Sequence, residues 1–347
     1  MNDIIKRHSI SPEASVREAM RFLNDLSGDS MTLFVIDDCD RVLGSVTDGD
    51  IRRILINGGS LDDSVKEVMN CNFLSASNAD DISMKIAAGR KKHIELLPVI
   101  EDGKIVDLLD LRFMKASLPI EAVLMAGGRG ERLRPLTDSL PKPLLPVAGK
   151  PIIDYNVEAL ESYGVRKIHV TLNYLGEMIR NHFRNREGRC EINCVTEPDR
   201  LGTFGSLAYI GEVATDNIIV MNSDLLSSIN FEAMYLNHRT SGADFTIAAV
   251  PYSVSVPFAI MRMKDDRVKS LEEKPTFNYF ANGGIYLFKS SLLSRIKKGE
   301  YLDAPDFITS LIADNLKVGC FHIDGTWIDI GSPDDYRLAN DIASRKL

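Results

Sequence analysis

Ser15-Val16-Arg17-Glu18 has the spacing of a reciprocal helix cap, and Ala19, Phe22, Leu23 and Leu26 continue one apolar helical face. The run Thr32-Leu33-Phe34-Val35-Ile36, a polar turn at Asp37-Asp38-Cys39-Asp40, and Val42-Leu43-Gly44-Ser45-Val46 predict a hairpin, with a helix beginning near Asp48. A weaker copy follows: a helix from about Asp81, then Leu96-Leu97-Pro98-Val99-Ile100, a turn at Glu101-Asp102-Gly103-Lys104, and Ile105-Val106-Asp107-Leu108-Leu109. Ile36 and Ile100 stand 64 positions apart, so a helix–strand–strand–helix unit of about 60 residues occurs twice, over about 8–60 and 67–115. Ala116-Ser117-Leu118-Pro119 marks a boundary between residues 1–116 and 120–347. Beyond it strands and helices alternate: Ile120–Met125 reads as a buried strand, Pro151–Tyr163 as a helix, Lys167–Leu172 as a strand and Gly176–Arg184 as a helix. Asp216–Asn222 and Phe245–Val250 continue the series as strands. Alternation of this kind predicts an α/β domain with a mainly parallel sheet.

Composition changes that picture little but narrows the function. Of 347 residues, 44% are hydrophobic and 26% charged, an ordinary balance for a globular chain with real cores. Lys and Arg number 41 against 49 Asp and Glu, a net charge of −8, which disfavours nucleic acid or an anionic membrane as partner. No apolar run reaches the ~20 residues of a spanning helix, and Ser, Pro and Glu follow the N-terminal residues where a signal peptide would be apolar. The five cysteines, Cys39, Cys71, Cys190, Cys194 and Cys320, form no zinc pattern; free thiols in a cytoplasmic protein are expected.

The first repeat carries Gly44-Ser45-Val46-Thr47-Asp48-Gly49-Asp50. With the duplicated unit around it, this stretch resembles a tandem pair of CBS domains, modules that sense adenosine-type ligands or regulate partner domains. In nucleotide-binding members a Thr and an Asp so spaced contact ribose and phosphate, which implies Thr47 and Asp50 as ligand contacts and an adenine nucleotide as partner. The second repeat has Val106-Asp107-Leu108-Leu109-Asp110-Leu111-Arg112 there and lacks both. The same residues also read as a helix cap, in a pair that is structural or builds a dimer.

The strongest chemical signal is Ala126-Gly127-Gly128-Arg129-Gly130-Glu131-Arg132-Leu133-Arg134-Pro135-Leu136-Thr137, directly after a buried strand. Glycines there bring backbone N–H groups close to a ligand, as a phosphate cradle requires. The spacing is neither a dinucleotide fingerprint nor a Walker A loop. Residues 127–150 hold five basic and two acidic side chains, a local +3 in an acidic chain and an island suited to polyphosphate. Ser139-Leu140-Pro141-Lys142-Pro143-Leu144-Leu145-Pro146-Val147 then sets a lysine between two prolines, so Lys142 is expected to rise from a stiff, extended segment.

Together the two motifs resemble those of the sugar-1-phosphate nucleotidyltransferases, over about 120–347. That resemblance implies a Rossmann-like, mainly parallel mixed sheet, the nucleotide-diphospho-sugar transferase fold, behind an N-terminal α+β CBS pair. It also implies a nucleotide site at Ala126, Gly127, Gly128 and Gly130, with Arg132 and Lys142 as catalytic cations. Asp224, at the end of an apolar strand, and Asp329, in Trp327-Ile328-Asp329-Ile330, match the family's ligands for Mg²⁺, a hard ion suited to carboxylate and phosphate oxygens. By alternation Trp327 and Asp329 share one face of their strand and Ile328 and Ile330 the other. Asp334 and Asp335 read instead as the acidic first turn of a last helix. Glu197-Pro198-Asp199-Arg200-Leu201-Gly202-Thr203-Phe204-Gly205 resembles the base-binding segment of guanylyl-transferring members, with Phe204 where Ala is usual; Glu197, Gly202 and Thr203 are the implied contacts and GTP the favoured donor. Glu272-Glu273-Lys274-Pro275 and Asn282-Gly283-Gly284 match sugar-pocket segments, giving Glu273, Lys274, Asn282 and Gly284 as implied sugar-phosphate contacts. Phe258-Ala259-Ile260 stands where many relatives have Tyr-Gly-Val.

The reaction so implied is in-line attack of a sugar-1-phosphate on the α-phosphorus of a nucleoside triphosphate. A phosphate monoester is already largely ionised at neutral pH, so no protein base is needed, and none is evident. Guanylyltransferases with a fused CBS pair make GDP-glucosamine for legionaminic acid biosynthesis, so glucosamine-1-phosphate is the implied acceptor and mannose-1-phosphate the rival. A nucleotide-sensing regulatory protein without turnover is the alternative of another class. A homo-oligomer is expected.

Overall fold

The computed structural model describes residues 3–26, 28–77, 82–184, 186, 188 and 190–346, and the chain divides into two compact units, Met1–Ser117 and Leu118–Leu347.

In the first unit the helix Val16–Asp25 is closed by the reciprocal cap: the Ser15 hydroxyl accepts from the Glu18 amide at 3.2 Å, and the Glu18 carboxylate accepts from the Ser15 amide at 2.8 Å. Strands Thr32–Ile36 and Val42–Thr47 pair antiparallel and lead into the helix Asp48–Ile56. The second copy has the helix Ile82–Lys91 and the hairpin Leu96–Glu101 with Lys104–Asp110; the expected helix start, Asp81, lies outside the described residues. Both hairpins break register at the same point of the repeat, between Val35 and Ile36 and between Val99 and Ile100. Ile5, Phe34, Ile36, Leu96, Ile105 and Leu108 bury the faces that the two copies turn to each other.

In the second unit the sheet strands are β1 (Ile120–Met125), β2 (Lys167–Leu172), β3 (Glu191–Thr196), β4 (Asn217–Asn222), β5 (Phe245–Ser255), β6 (Thr276–Lys289) and β7 (Val318–His322). Their order is β3-β2-β1-β4-β6-β5-β7 among the described residues. The first four are parallel, β6 runs antiparallel between β4 and β5, and β7 is parallel to β5. This is the expected mixed, mainly parallel sheet. The inner strands β1, β2 and β4 are nearly continuous buried runs because both their faces are covered, as parallel sheets require. Strand order reverses at β1, between β2 on one side and β4 on the other, so the loops leaving β1 and β4 open a crevice at their carboxyl ends.

Two local expectations are corrected. Lys142 does not rise from an extended segment: Lys142–Leu144 is a 3₁₀ turn, closed by the Leu144 amide on the Pro141 carbonyl at 2.8 Å. Pro143 fits there because the opening positions of a helical turn need no backbone donor. Strand β5 continues past Val250 to Ser255, since β6 pairs with it along the whole length. Beyond the sheet a hairpin, Ile260–Lys264 with Arg267–Glu272, stands exposed on both faces.

Candidate active site

Four backbone connections gather the chemistry at the β1/β4 crevice. Ala126, Gly127 and Gly128 leave the end of β1, and their neighbour Gly130, with φ of 62°, starts the 3₁₀ turn Glu131–Leu133 that carries Arg132. Leu133, buried, anchors that turn. At the end of β4 the Ser223 hydroxyl donates to the Met125 carbonyl at 2.7 Å, tying the two strand ends together. The Asn156 side chain, buried in the helix Ile152–Ser162, donates to the Ser223 carbonyl at 3.1 Å and fixes the loop that presents Asp224. Leu225–Ser227 pairs antiparallel with Trp327–Asp329, and the register sets Leu225 opposite Asp329. Asp224 and Asp329 therefore lie side by side although 105 positions separate them in the chain. Ile328 and Ile330 turn into the core, as alternation predicts, and leave Asp329 facing the crevice. Asp334 and Asp335 open the last helix, Pro333–Lys346.

Lys142 joins the pair. Its ammonium contacts Asp224 Oδ2 and lies 3.2 Å from Asp329 Oδ1. Burial works against the Lys142 charge, but the two carboxylates outweigh it and hold its pKa above the ordinary lysine value. Burial and then the Asp224 charge push the Asp329 carboxyl above the usual carboxylate range. Arg132 reaches in from the glycine loop: its guanidinium lies so near Gly331 that a Cβ there would come within 3.0 Å of it.

These groups line a cavity of about 310 Å³ together with Ala126, Gly127, Gly128, Glu197, Gly202 and Thr203. Gly130 borders the adjoining cavity of about 330 Å³, which shares Gly128, Arg132 and Lys142 with the first. A Cβ on Gly127 would meet Glu197 Oε1 at 2.4 Å, so glycine is what lets the buried carboxyl approach the loop. Burial raises the pKa of Glu197, whose other oxygen accepts from the Leu201 amide at 3.4 Å. Gly202 has φ of 78°, and its amide neighbour Thr203 donates to Asp303 Oδ1 at 2.9 Å.

Phe204, the residue standing where Ala is usual, points into the core, ringed by Tyr286, Phe307, Phe288 and Phe245. Several expected contacts lie outside the cavity. Asn282 donates to the Tyr286 hydroxyl at 2.9 Å, and Gly284 packs on the cavity residue Asn222, whose amide a Cβ would meet at 2.5 Å; both stand behind the wall. Glu273 and Lys274 are exposed beside the outer hairpin and do not line the cavity, because that ribbon runs beyond the sheet. In the first unit Thr47 and Asp50 satisfy each other in a reciprocal cap, the Thr47 hydroxyl donating to Asp50 Oδ2 at 2.6 Å, while bordering a separate cavity of about 570 Å³. Arg200, Asn222, Ser223, Tyr301 and Asp303, which belong to no recognised motif position, also line the β1/β4 cavity. Asn222 and Ser223 were signalled by the polar end of an apolar strand; Tyr301 and Asp303 had no local signal.

A model of the nucleotidyl transferase family matches residues 121–345, and the CBS domain model matches residues 2–57. The chain belongs to the nucleotidyl transferase family. Among its curated relatives, mannose-1-phosphate guanylyltransferase catalytic subunit beta of Danio rerio is 32% identical over 226 residues, covering 62% of each chain. Mannose-1-phosphate guanylyltransferase 1 of Arabidopsis thaliana is 32% identical over 228 residues, 62% of this chain and 63% of that one. The chain thus spans less than two thirds of the length of these relatives. The crystal structure of HddC from Yersinia pseudotuberculosis superposes with a TM-score of 0.50 at 25% identity, covering 65% of this chain and 99% of that one. Among the described residues no helix is long and apolar enough to cross a membrane.

The donor set suits a divalent cation of the hard class. Asp224 Oδ1 is buried and has no hydrogen-bond partner, beside the second carboxylate of Asp329. Among the described residues no group of three or more His, Cys, Asp and Glu side chains is placed to hold a metal ion; an ion on this pair would draw its remaining ligands from phosphate oxygens and water.

Proposed function

We propose that the protein transfers guanylyl from GTP to a sugar-1-phosphate, releasing pyrophosphate. Support comes from one arrangement above all: Arg132, Lys142, Asp224 and Asp329, drawn from four separate segments, meet at a single cavity floored by the glycine loop. A bond forms between an oxygen of the sugar phosphate and the α-phosphorus, and the α–β phosphoanhydride breaks. Two anions must approach, so positive charge in a poorly solvated cavity is worth more than a base. Arg132 supplies a planar, permanently charged fork for phosphate oxygens, and Lys142 a compact charge on a rigid base. Gly127 and Gly128 let the chain approach the triphosphate, and Glu197 faces the base end of the cavity. Magnesium held by Asp224 and Asp329 would neutralise charge on the phosphates.

Glucosamine-1-phosphate is the proposed acceptor, from the fusion with CBS repeats; the names of the relatives favour mannose-1-phosphate as the second reading. The proposal includes a second CBS domain over about 67–115, an adenine nucleotide in the cavity beside Thr47 and Asp50, a homo-oligomer, and a cytoplasmic setting in keeping with five free cysteines. The test is pyrophosphate release with each of four nucleoside triphosphates and a panel of hexose- and hexosamine-1-phosphates, with and without AMP or ATP. Arg132→Ala and Lys142→Ala should each lower kcat by about 10²–10³, the usual cost of losing one charge-stabilising group. Near-normal turnover in both, or no turnover of any pair by the unaltered protein, overturns the assignment.

A further inference from the structure

In this structure Lys142 lies against both carboxylates of the acidic pair. Its ammonium contacts Asp224 Oδ2 and lies 3.2 Å from Asp329 Oδ1, with the lysine side chain only 11% exposed. At least two of its three N–H bonds are thereby spent on carboxylates. Asp224 Oδ1, on the far side of the same carboxylate, has no partner at all. One oxygen of each acid is thus taken by the lysine, and the acidic pair has donor capacity left over.

We propose that Lys142 is the resident counter-cation of this pair and is exchanged for the divalent ion, which frees the ammonium to meet phosphate. This rests on the reading of Asp224 and Asp329 as metal ligands given above. Three features make the exchange feasible. The unpartnered Asp224 Oδ1 is open to a divalent ion, and the like charges of such an ion and of the Lys142 ammonium on the same two carboxylates repel at so short a range. The base of Lys142 is held by the 3₁₀ turn between buried Pro141 and Pro143, while four side-chain torsions let its tip move without the backbone. The space it would move into exists: Lys142 and Asp224 both line the cavity of the acidic pair and the adjoining one, whose far side is bordered by the loop residues Gly128, Gly130 and Arg132. The displaced charge therefore arrives at the glycine loop, where the phosphates are proposed to lie. Metal and nucleotide should accordingly bind with positive coupling, because each takes one partner from an ion pair that excludes both.

The experiment titrates the full-length protein with Mn²⁺ in the absence of nucleotide, following the free-ion signal by electron paramagnetic resonance. Lys142→Met is compared with the unaltered chain, and Lys142→Gln provides a second neutral variant if the first folds poorly; Trp327 fluorescence reports folding of this unit. Mn²⁺ affinity is expected to rise about tenfold or more in either lysine variant, and to collapse in Asp224→Asn and Asp329→Asn. Unchanged or weaker Mn²⁺ binding in the lysine variants, with collapse in the two asparagine variants, overturns the exchange and leaves the metal reading standing. Retained affinity in both asparagine variants overturns the metal reading itself.

Discussion

Replacing Phe204 by alanine should cost the second unit about 4–5 kcal/mol and leave its nucleotide affinity almost untouched. The ring is fully buried, at 0% exposure. Four aromatic neighbours surround it, with centroids at 5.2 Å for Tyr286, 5.4 Å for Phe307, 6.1 Å for Phe288 and 6.3 Å for Phe245. Phe→Ala in a core costs roughly 3–5 kcal/mol from lost transfer energy and the cavity left behind. Here the upper part of that range applies. The neighbours sit on two adjacent sheet strands, β5 and β6, and on the helix Ala304–Ala313, and cannot collapse into the gap; edge-to-face pairs such as that with Tyr286 add about 0.5–1.5 kcal/mol beyond burial. For a unit of this size the melting temperature should fall by about 10 °C or more. Urea unfolding followed by fluorescence is selective, since Trp327 is the sole tryptophan of the chain and lies in this unit. A loss below about 1.5 kcal/mol, or normal stability with a tenfold rise in KM for GTP, would refute the placement of the ring in the core.

Three further outcomes follow from single contacts. Gly127→Ala places a Cβ 2.4 Å from Glu197 Oε1, so the loop or the acid must shift; kcat/KM for the nucleotide should drop about tenfold or more with a stability loss of about 1–3 kcal/mol, and steady-state kinetics beside a melting curve test it. Glu197→Gln should raise the melting temperature at pH 7.5 and not at pH 4: burial raises this carboxyl above its unfolded value, so the folded state holds the proton longer and loses stability as pH climbs through the shifted value. A gain larger at pH 4 than at pH 7.5 would contradict that sign. Thr47→Ala removes the reciprocal cap of the helix Asp48–Ile56, worth about 1 kcal/mol, so exchange of the amides at 48–50 should quicken about fivefold in hydrogen-exchange measurements; unchanged protection would show that the cap contributes nothing.

Much of this molecule is written in short stretches of its chain. Ser15 and Glu18 announce their cap because both partners lie within one helical turn. Lys167–Leu172 and Gly176–Arg184 form where hydrophobic periodicity puts them, and Trp327 to Ile330 alternate as a strand must. The glycine loop and the lysine between prolines announce phosphate chemistry because close backbone approach and a stiff base are local properties. Lys142 departs from its local preference, since a proline following it opposes helical backbone on average, whereas here packing of Leu144 and Leu145 beneath the turn prevails.

What no local pattern contains is who stands opposite whom. Phe204 occupies a segment that looks like base recognition, yet its ring belongs to the core because rings from β5, β6 and the helix Ala304–Ala313 close around it. The Asn156 bond to the Ser223 carbonyl and the bond from Thr203 to Asp303 link positions far apart in sequence. The sequence alone determined which residue types the chemistry would use, since charge, glycine freedom and periodicity are properties of each segment by itself. That Asp224 and Asp329 are neighbours and that Lys142 lies against both emerges from the folded chain alone, because strand register across a hundred residues is chosen by the packing of the whole sheet.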